Sequence, residues 1–132
     1  MRCIAWGLLA MPLSVMAAGG GAWQAQSGGA VLSHRGVAAS SSVLSSAAPA
    51  QGTISLVAWR YELDAPQPPG LVAKLCTSPT YCVALDGQGG TTHGFDGQPA
   101  VQSFYFVWAV PGGGTIFPVM RVRLNQVIVN YQ

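Results

Sequence analysis

The sequence predicts an all-β fold, a single-domain β-sandwich of mostly antiparallel strands. Residues 52–63 (GTISLVAWRYEL) and 101–110 (VQSFYFVWAV) are rich in β-branched and aromatic residues and alternate with a period of two. No window keeps the period of 3.6 residues that marks an amphipathic helix. Clusters of Gly, Pro and Asp separate the apolar runs at spacings that suit a sandwich.

The period of two divides the side chains of each predicted strand between two faces. In the first strand, one face carries Thr53, Ser55, Val57, Trp59 and Tyr61, and the other carries Ile54, Leu56, Ala58, Arg60 and Glu62. Residues 101–110 form the most apolar run and predict a central strand with Phe104, Phe106 and Trp108 on one face. We therefore expect Trp59 and Trp108 in the core.

Shorter apolar runs predict the remaining strands. Residues 71–76 and 81–85 predict a hairpin, and residues 116–124 and 126–131 predict two strands near the C-terminus. In the last pair, Arg121 and Arg123 alternate with apolar residues and should face solvent.

Turns and one long loop are predicted between these strands. The sequences DAPQPPG at 64–70, DGQGG at 86–90 and PGGG at 111–114 predict turns. The Ser- and Ala-rich segment 38–51 predicts a loop, with a weakly patterned edge strand as the alternative.

The N-terminal segment predicts a signal peptide at residues 1–17. Arg2 precedes a short apolar run, and Val15-Met16-Ala17 is a small-x-small cleavage pattern. We expect cleavage after Ala17 or Ala18, followed by the sandwich domain at 19–132. The run is shorter than the roughly 20 residues of a membrane span, so stable membrane insertion after cleavage is not expected.

Charge is sparse in the mature chain and nearly balanced. The basic residues are Arg35, Arg60, Lys74, Arg121 and Arg123. The acidic residues are Glu62, Asp64, Asp86 and Asp96. Nucleic acid requires a basic surface that replaces counterions, and this inventory does not supply one. We therefore predict no nucleic-acid partner. The residues assign no oligomeric state.

Two cysteines remain once Cys3 leaves with the signal peptide. In an oxidising compartment, Cys76 and Cys82 should form a disulfide near the closed end of the predicted hairpin. The alternative is a zinc ion held by both thiols with His34 and His93. Their spacing matches no common zinc finger, so the disulfide is favoured and no metal site is predicted.

The sequence offers little for catalysis. His93 with Asp86 or Asp96 and a serine could form a triad, but no nucleophile-elbow pattern is present. The glycines at 112–114 lack the lysine of a phosphate loop. We predict a non-enzyme without a cofactor. Trp23, Trp59 and Trp108 keep open an alternative function, binding of carbohydrate or peptidoglycan through aromatic platforms.

Partner binding is predicted at an exposed strand edge, where unpaired backbone groups accept an added strand. The first candidate is 126–131, with Val127, Val129, Asn130 and Tyr131 as contact residues and no charge to guard it. The alternative is that this segment is an interior strand. A second candidate edge is the Ser/Ala segment beside Val43, and a third site is the loop around His93.

Seven runs resemble the flagellar FlhE family and cover nearly the whole mature chain in the right order. They are GAWQ at 21–24, RGV at 35–37, LVAWRYEL at 56–63, LDGQ at 85–88, TTHGF at 91–95, VPGGG at 110–114 and NQVIVNY at 125–131. Cys76 and Cys82 stand where the family has its cysteine pair.

The resemblance implies a non-enzymatic protein in the periplasm of a Gram-negative bacterium that assists or regulates flagellar assembly and export. It also implies a need for the protein in normal swarming. The implied partners are flagellar proteins, either axial rod and hook subunits or export-gate components. The implied roles are chaperone-like binding of those components and control of proton leakage through the gate.

Overall fold

The computed structural model describes residues 20–132, and all of the helical or strand structure in that range is β-strand. The predicted signal peptide at 1–17 and its cleavage after Ala17 or Ala18 lie outside the described residues. Within the range, no helix is long and apolar enough to cross a membrane. The predicted all-β sandwich is confirmed, since the strands form two antiparallel sheets.

Sheet I is built around one long strand. Its members are β1 (Gly21–Ser27), β2 (Val31–His34), β5 (Ile54–Leu63), β8 (Gly89–Thr92) and β10 (Thr115–Tyr131). The order is β1-β10-β5-β8, and β2 pairs with the first half of β10 on the side where β1 pairs with the second half. Strand β10 is therefore interior along most of its length.

Sheet II is smaller and has β9 and β6 at its centre. Its members are β3 (Ala39–Ser40), β4 (Leu44–Ser45), β6 (Val72–Ser78), β7 (Tyr81–Leu85) and β9 (Ser103–Ala109). The order is β3-β9-β6-β7, and β4 also pairs with β9. The predicted hairpin is β6–β7, and the predicted central strand is β9.

The core lies between the sheets and is rich in aromatic rings, as the alternation predicted. Phe104, Phe106 and Trp108 are fully buried on one face of β9, and Trp59 is 5% exposed. The rings of Phe106 and Trp108 stack at 5.5 Å between centroids. Tyr61 of sheet I meets the Trp108 ring edge-to-face at 5.6 Å. Burial raises the pKa of Tyr61 above its ordinary 10.0.

The two predicted C-terminal strands are in fact one strand of 17 residues. Asn125, which lies between them, stays in the sheet although it is fully buried. Its Nδ2 donates a hydrogen bond to Ser27 Oγ at 3.0 Å, so part of its polar group is satisfied inside sheet I. This partner comes from β1, far away in the sequence, and no local pattern reveals it.

The prediction of a turn at 86–90 is wrong in its second half, because β8 begins at Gly89. Gly90 pairs directly with Trp59 of β5. A Cβ at position 90 would lie 3.1 Å from the Trp59 ring, so the indole covers the place where a side chain would stand. At the glycine that reads as a turn signal, a large cross-strand neighbour therefore leaves little room for a side chain.

The Ser/Ala segment also differs from the predicted loop. It contains two very short strands, β3 and β4, that pair with the same side of β9. Between them, the Ser41 backbone N–H donates to the Phe106 carbonyl at 2.9 Å, and Ser41 Oγ accepts from the Phe106 N–H at 2.9 Å. The edge-strand alternative is confirmed for this segment.

One face assignment in the first predicted strand is wrong. Ile54 was grouped on one face with Leu56, Ala58, Arg60 and Glu62, but it is 2% exposed and belongs to the core, on the side of Val57 and Trp59. The pairing of β5 with β10 shifts register between Asn130 and Tyr131, so the alternation breaks between Ile54 and Leu56. From Val57 to Glu62 the predicted faces are correct.

The predicted disulfide is confirmed: Cys76 and Cys82 are bonded across the β6–β7 hairpin. The two residues are direct cross-strand partners, with their Cα atoms 4.0 Å apart. Cys76 is buried, and Cys82 is exposed on the outer strand of sheet II.

We expect Trp108→Ala to lower the free energy of unfolding by about 3–5 kcal/mol, because it removes a fully buried aromatic ring. The matched control is Phe117→Ala, since Phe117 is 91% exposed and its loss should change stability by less than about 0.5 kcal/mol. Urea unfolding of the purified chain measures both. Equal effects of the two substitutions would contradict the packing described.

Replacing both Cys76 and Cys82 by Ala should lower the unfolding free energy by about 2–2.5 kcal/mol, because the bond closes a short loop in the unfolded chain. The comparison is the oxidised parent against the double variant in the same denaturant series. Adding a reductant should bring the parent to the stability of the variant and leave the variant unchanged. If the reductant left the unfolding free energy of the parent unchanged, the disulfide would not stabilise the fold by restricting the unfolded chain.

Candidate partner-binding edges

The His93 ring serves to anchor its loop. Its Nδ1 lies 3.0 Å from the carbonyl oxygen of Ser55 and 2.9 Å from Asp96 Oδ2. A carbonyl oxygen only accepts, so Nδ1 carries the proton and donates. The Ser55 hydroxyl instead donates to the carbonyl of Asn130 at 3.2 Å. The contacts of His93 therefore fasten its loop to strand β5 and do not activate a serine.

The part of the chain that the structure describes contains no group of side chains that could bind a metal ion together. No three of its His, Cys, Asp or Glu residues are grouped so as to hold an ion. The zinc alternative also loses two of its four ligands, because Cys76 and Cys82 are bonded to each other.

The hypothesis that 126–131 is a free strand edge is wrong, and the interior alternative is confirmed. In β10 this segment pairs with β1 on one side and with β5 on the other. Val127 and Val129 are fully buried between the sheets. The physical reason is that residues 21–27, at the start of the described chain, add a complete strand alongside. Asn130 and Tyr131 keep partly exposed side chains, and their contact with a partner stays a prediction.

One side of the sandwich is closed at its edges. There β1 of sheet I lies against β4 of sheet II, and Trp23 Nε1 donates to the carbonyl of Ala100 at 2.9 Å. The facing edge of sheet II is divided into β3 and β4, each two residues long. An open groove of about 420 Å³ runs beside β4, lined by residues 45–49 and 101–103. Very short strands are a common way to blunt a sheet edge.

The opposite side of the sandwich is more open. Here β7 is the last strand of sheet II and β8 is the last strand of sheet I. The loop of His93 lies between them, where the Tyr81 hydroxyl donates to the Gly94 carbonyl and the Tyr81 ring packs on Phe95 at 5.8 Å. A Cβ at Gly94 would lie 2.6 Å from Val83 Cγ2, so only glycine lets the loop approach β7 this closely.

Charged and amide groups form a network on the outer face of sheet I. Arg60 donates to Gln126 Oε1 at 2.8 Å and to Glu62 Oε2 at 2.7 Å, and Arg123 donates to Glu62 Oε1 at 3.3 Å. Gln126 in turn donates to Gln24 at 3.1 Å. The hydrogen bond from Arg60, followed by that from Arg123, lowers the pKa of Glu62 below its ordinary 4.5.

A proline-rich surface was missed by the sequence reasoning, which placed Phe117 inside an ordinary strand. Phe117 is 91% exposed and precedes Pro118 through a cis peptide bond. A cavity of about 270 Å³ opens beside it, lined by Arg35, Ile116, Pro118 and the turn at 66–69. Pro118 and the prolines of the turn at 66–69 meet here although they are distant in sequence, and only Pro118 after an aromatic residue hinted at an irregular position.

Glu62→Gln tests the outer network through pH. Because the pKa of Glu62 is lowered in the folded state, its contribution to stability is present above its unfolded pKa of about 4.5 and is lost as the pH falls through the folded pKa. The parent should therefore exceed the variant in stability at neutral pH, and the two should converge in acid. Thermal unfolding between neutral pH and strong acid measures this, and a constant difference would contradict the assignment.

Comparison with known proteins places these features in a family. A family model described as "Flagellar protein FlhE" matches residues 29–132. The flagellar protein FlhE of Salmonella typhimurium is 58% identical over 125 residues, covering 95% of each chain. That of Escherichia coli K12 is 51% identical over 125 residues, again covering 95% of each chain.

A solved structure agrees with the sequence comparisons. The structure titled "Crystal Structure of FLHE" superposes with a TM-score of 0.83 at 58% identity, covering 87% of this chain and 99% of that one. FlhE is a family of flagellar accessory proteins and is not a known enzyme family. The match extends over the whole sandwich, and this chain belongs to the FlhE family of flagellar proteins.

Proposed function

We propose that this protein is a non-enzymatic periplasmic accessory of flagellar assembly that binds exported flagellar subunits in a chaperone-like manner. The observation that carries the proposal is the open side of the sandwich, where β7 and β8 end their sheets beside the His93 loop, in a chain of a flagellar family. Open strand edges recognise extended polypeptide through its backbone, which suits a helper of subunits that are still unfolded.

The periplasmic location is supported by two features of the chain. The first 17 residues have the charge and apolar pattern of a signal peptide. The Cys76–Cys82 disulfide is a feature of proteins that fold outside the reducing cytosol. Together they favour a site of action next to the growing rod, where axial subunits emerge from the export gate.

Carbohydrate binding is less well supported. The aromatic platforms that suggested it are Trp23, Trp59 and Trp108, and these residues are between 0% and 9% exposed. A ring that packs between the sheets cannot stack on a sugar. The outer network of Arg60 and Gln126 is polar, but its groups already bond to one another.

Crosslinking in living cells tests the proposal. In a deletion strain that swarms poorly, we expect the full chain to restore swarming and to be recovered from the periplasm crosslinked to a rod or hook subunit. The matched control is the same chain without residues 1–17, which leaves every described contact intact and should fail to restore swarming. Equal rescue by the leaderless chain, or crosslinks to no flagellar protein, would contradict the proposal.

A further inference from the structure

We propose that β7 is the strand to which a partner adds, and that its occupant is an extended polypeptide segment that continues sheet II by one strand. The identity of that polypeptide as a flagellar subunit rests on the proposed function. The edge itself rests only on the geometry of Tyr81–Leu85, so the two can fail separately.

The register of the hairpin shows which backbone groups of β7 are free. Cys82 pairs with Cys76 and Ala84 pairs with Lys74. The Cα atoms of Cys76 and Cys82 are 4.0 Å apart, which is the short spacing of a non-hydrogen-bonded pair; hydrogen-bonded pairs lie at about 5.5 Å. In such a pair, the N–H and C=O of each residue point away from the other strand. Cys82 and Ala84 therefore direct four hydrogen-bonding groups outward from the sheet.

Nothing in the described part of the chain satisfies this side of β7 with a strand, since β7 pairs with β6 alone. The strand reads Tyr-Cys-Val-Ala-Leu and contains no charge, no proline and no glycine. Charged residues and prolines usually protect natural sheet edges from added strands, and β7 has neither. The first charge beyond the strand is Asp86, which follows its last residue.

The other edges are less suited to the same role. Strands β3 and β4 are two residues each, and Ser41 uses the hydrogen-bonding groups between them. Strand β1 lies against β4. Strand β8 offers four residues, of which Gly89 and Gly90 have no side chain to contact an added strand. Strand β7 combines length, apolar side chains and free backbone groups.

Strand β7 is also held in place before any partner arrives. The disulfide joins it to β6 at Cys82, and the Tyr81 hydroxyl fastens its first residue to the Gly94 carbonyl. An edge that is already ordered loses little conformational entropy on binding, so more of the hydrogen-bond energy is kept as affinity. The bond at Cys82 thus stabilises the edge as well as the fold.

The side chains of β7 define what the added segment can carry. Val83 and Leu85 lie towards the sandwich interior and are partly buried, whereas Cys82 and Ala84 are exposed on the outer face. An occupant that alternates would place apolar residues beside Val83 and Leu85. Small Ala84 leaves room for residues of any size on the outer face, so selection by sequence should be weak.

An extended segment fits this edge better than a second copy of the folded chain. Five residues of strand span about 17 Å. Two rigid sandwiches that touch through so short an edge would bury much less surface area than the roughly 1,200 Å² or more that stable protein interfaces bury. A flexible segment reaches all four outward groups without bringing a second folded body into contact.

Hydrogen exchange of the purified mature chain tests the geometry directly. In the free protein, the amides of Cys82 and Ala84 should exchange rapidly, while those of Val83 and Leu85 are protected by β6. Adding a hook or rod subunit unfolded in urea and diluted into native buffer should slow exchange at Cys82 and Ala84. Protection of these two amides in the free chain, or no slowing with a bound probe, would overturn the inference.

Ala84→Pro removes one outward N–H and leaves the hydrogen bonds to β6 intact, as prolines at edge positions do. Binding of the unfolded subunit should weaken about tenfold, the scale of losing one hydrogen bond whose partner group is then left unpaired. Ala84→Val is the matched control, since it keeps the N–H at the same exposed position. Equal affinity of the proline variant and the control would overturn the inference. If the proline variant fails to fold, the exchange experiment decides.

Two further arms separate the possible failures. If an unrelated, reduced and unfolded protein binds and Ala84→Pro weakens that binding while flagellar subunits do not bind, the edge stands and the proposed function fails. If flagellar subunits bind equally to Ala84→Pro and Ala84→Val, the proposed function stands and the edge fails. Sedimentation tests for self-association, and a dimer dissolved by Ala84→Pro would make a second copy the occupant and overturn this inference.

Discussion

Pairing of β10 on both sides is the constraint on which the rest of sheet I depends. The seventeen residues of β10 hold β1 and β2 on one side and β5 on the other, with local shifts of register. Within the strand, the fully buried Asn125 donates from its side-chain amide to Ser27 of β1. Because residues 125–131 of β10 pair with β1 on one side and β5 on the other, this segment offers no open backbone edge.

The aromatic core then joins the two sheets and determines their relative position. Tyr61 from sheet I meets both Phe106 and Trp108 from sheet II. Burial of such rings is the main favourable contribution to folding in a chain with few charges. The same packing explains the glycine at 90, where the Trp59 indole occupies the space of a side chain.

The two sides of the sandwich treat their strand edges differently. On one side, strands of both sheets lie against each other and the edge of sheet II is cut into two short pieces. On the other side, β7 is longer, uncharged and cross-linked to its neighbour by Cys76–Cys82. Natural sheets usually protect such an edge. An unprotected edge held rigidly in place is consistent with a binding surface in a family of flagellar accessory proteins.

Local sequence patterns determined much of this protein. Alternation identified the β fold, the buried face of β9 and the core positions of Trp59 and Trp108, because the period of two is a property of each strand by itself. The predicted export signal, the two remaining cysteines and their place in a predicted hairpin together predicted the Cys76–Cys82 bond. Tertiary structure alone decided which strands are edges, since pairing depends on residues distant in the chain: β1 covers β10 and makes 126–131 interior. It also decided that Gly89–Thr92 is a strand, because the residue that pairs with Gly90 and crowds its Cβ position is Trp59, thirty-one residues earlier in the sequence.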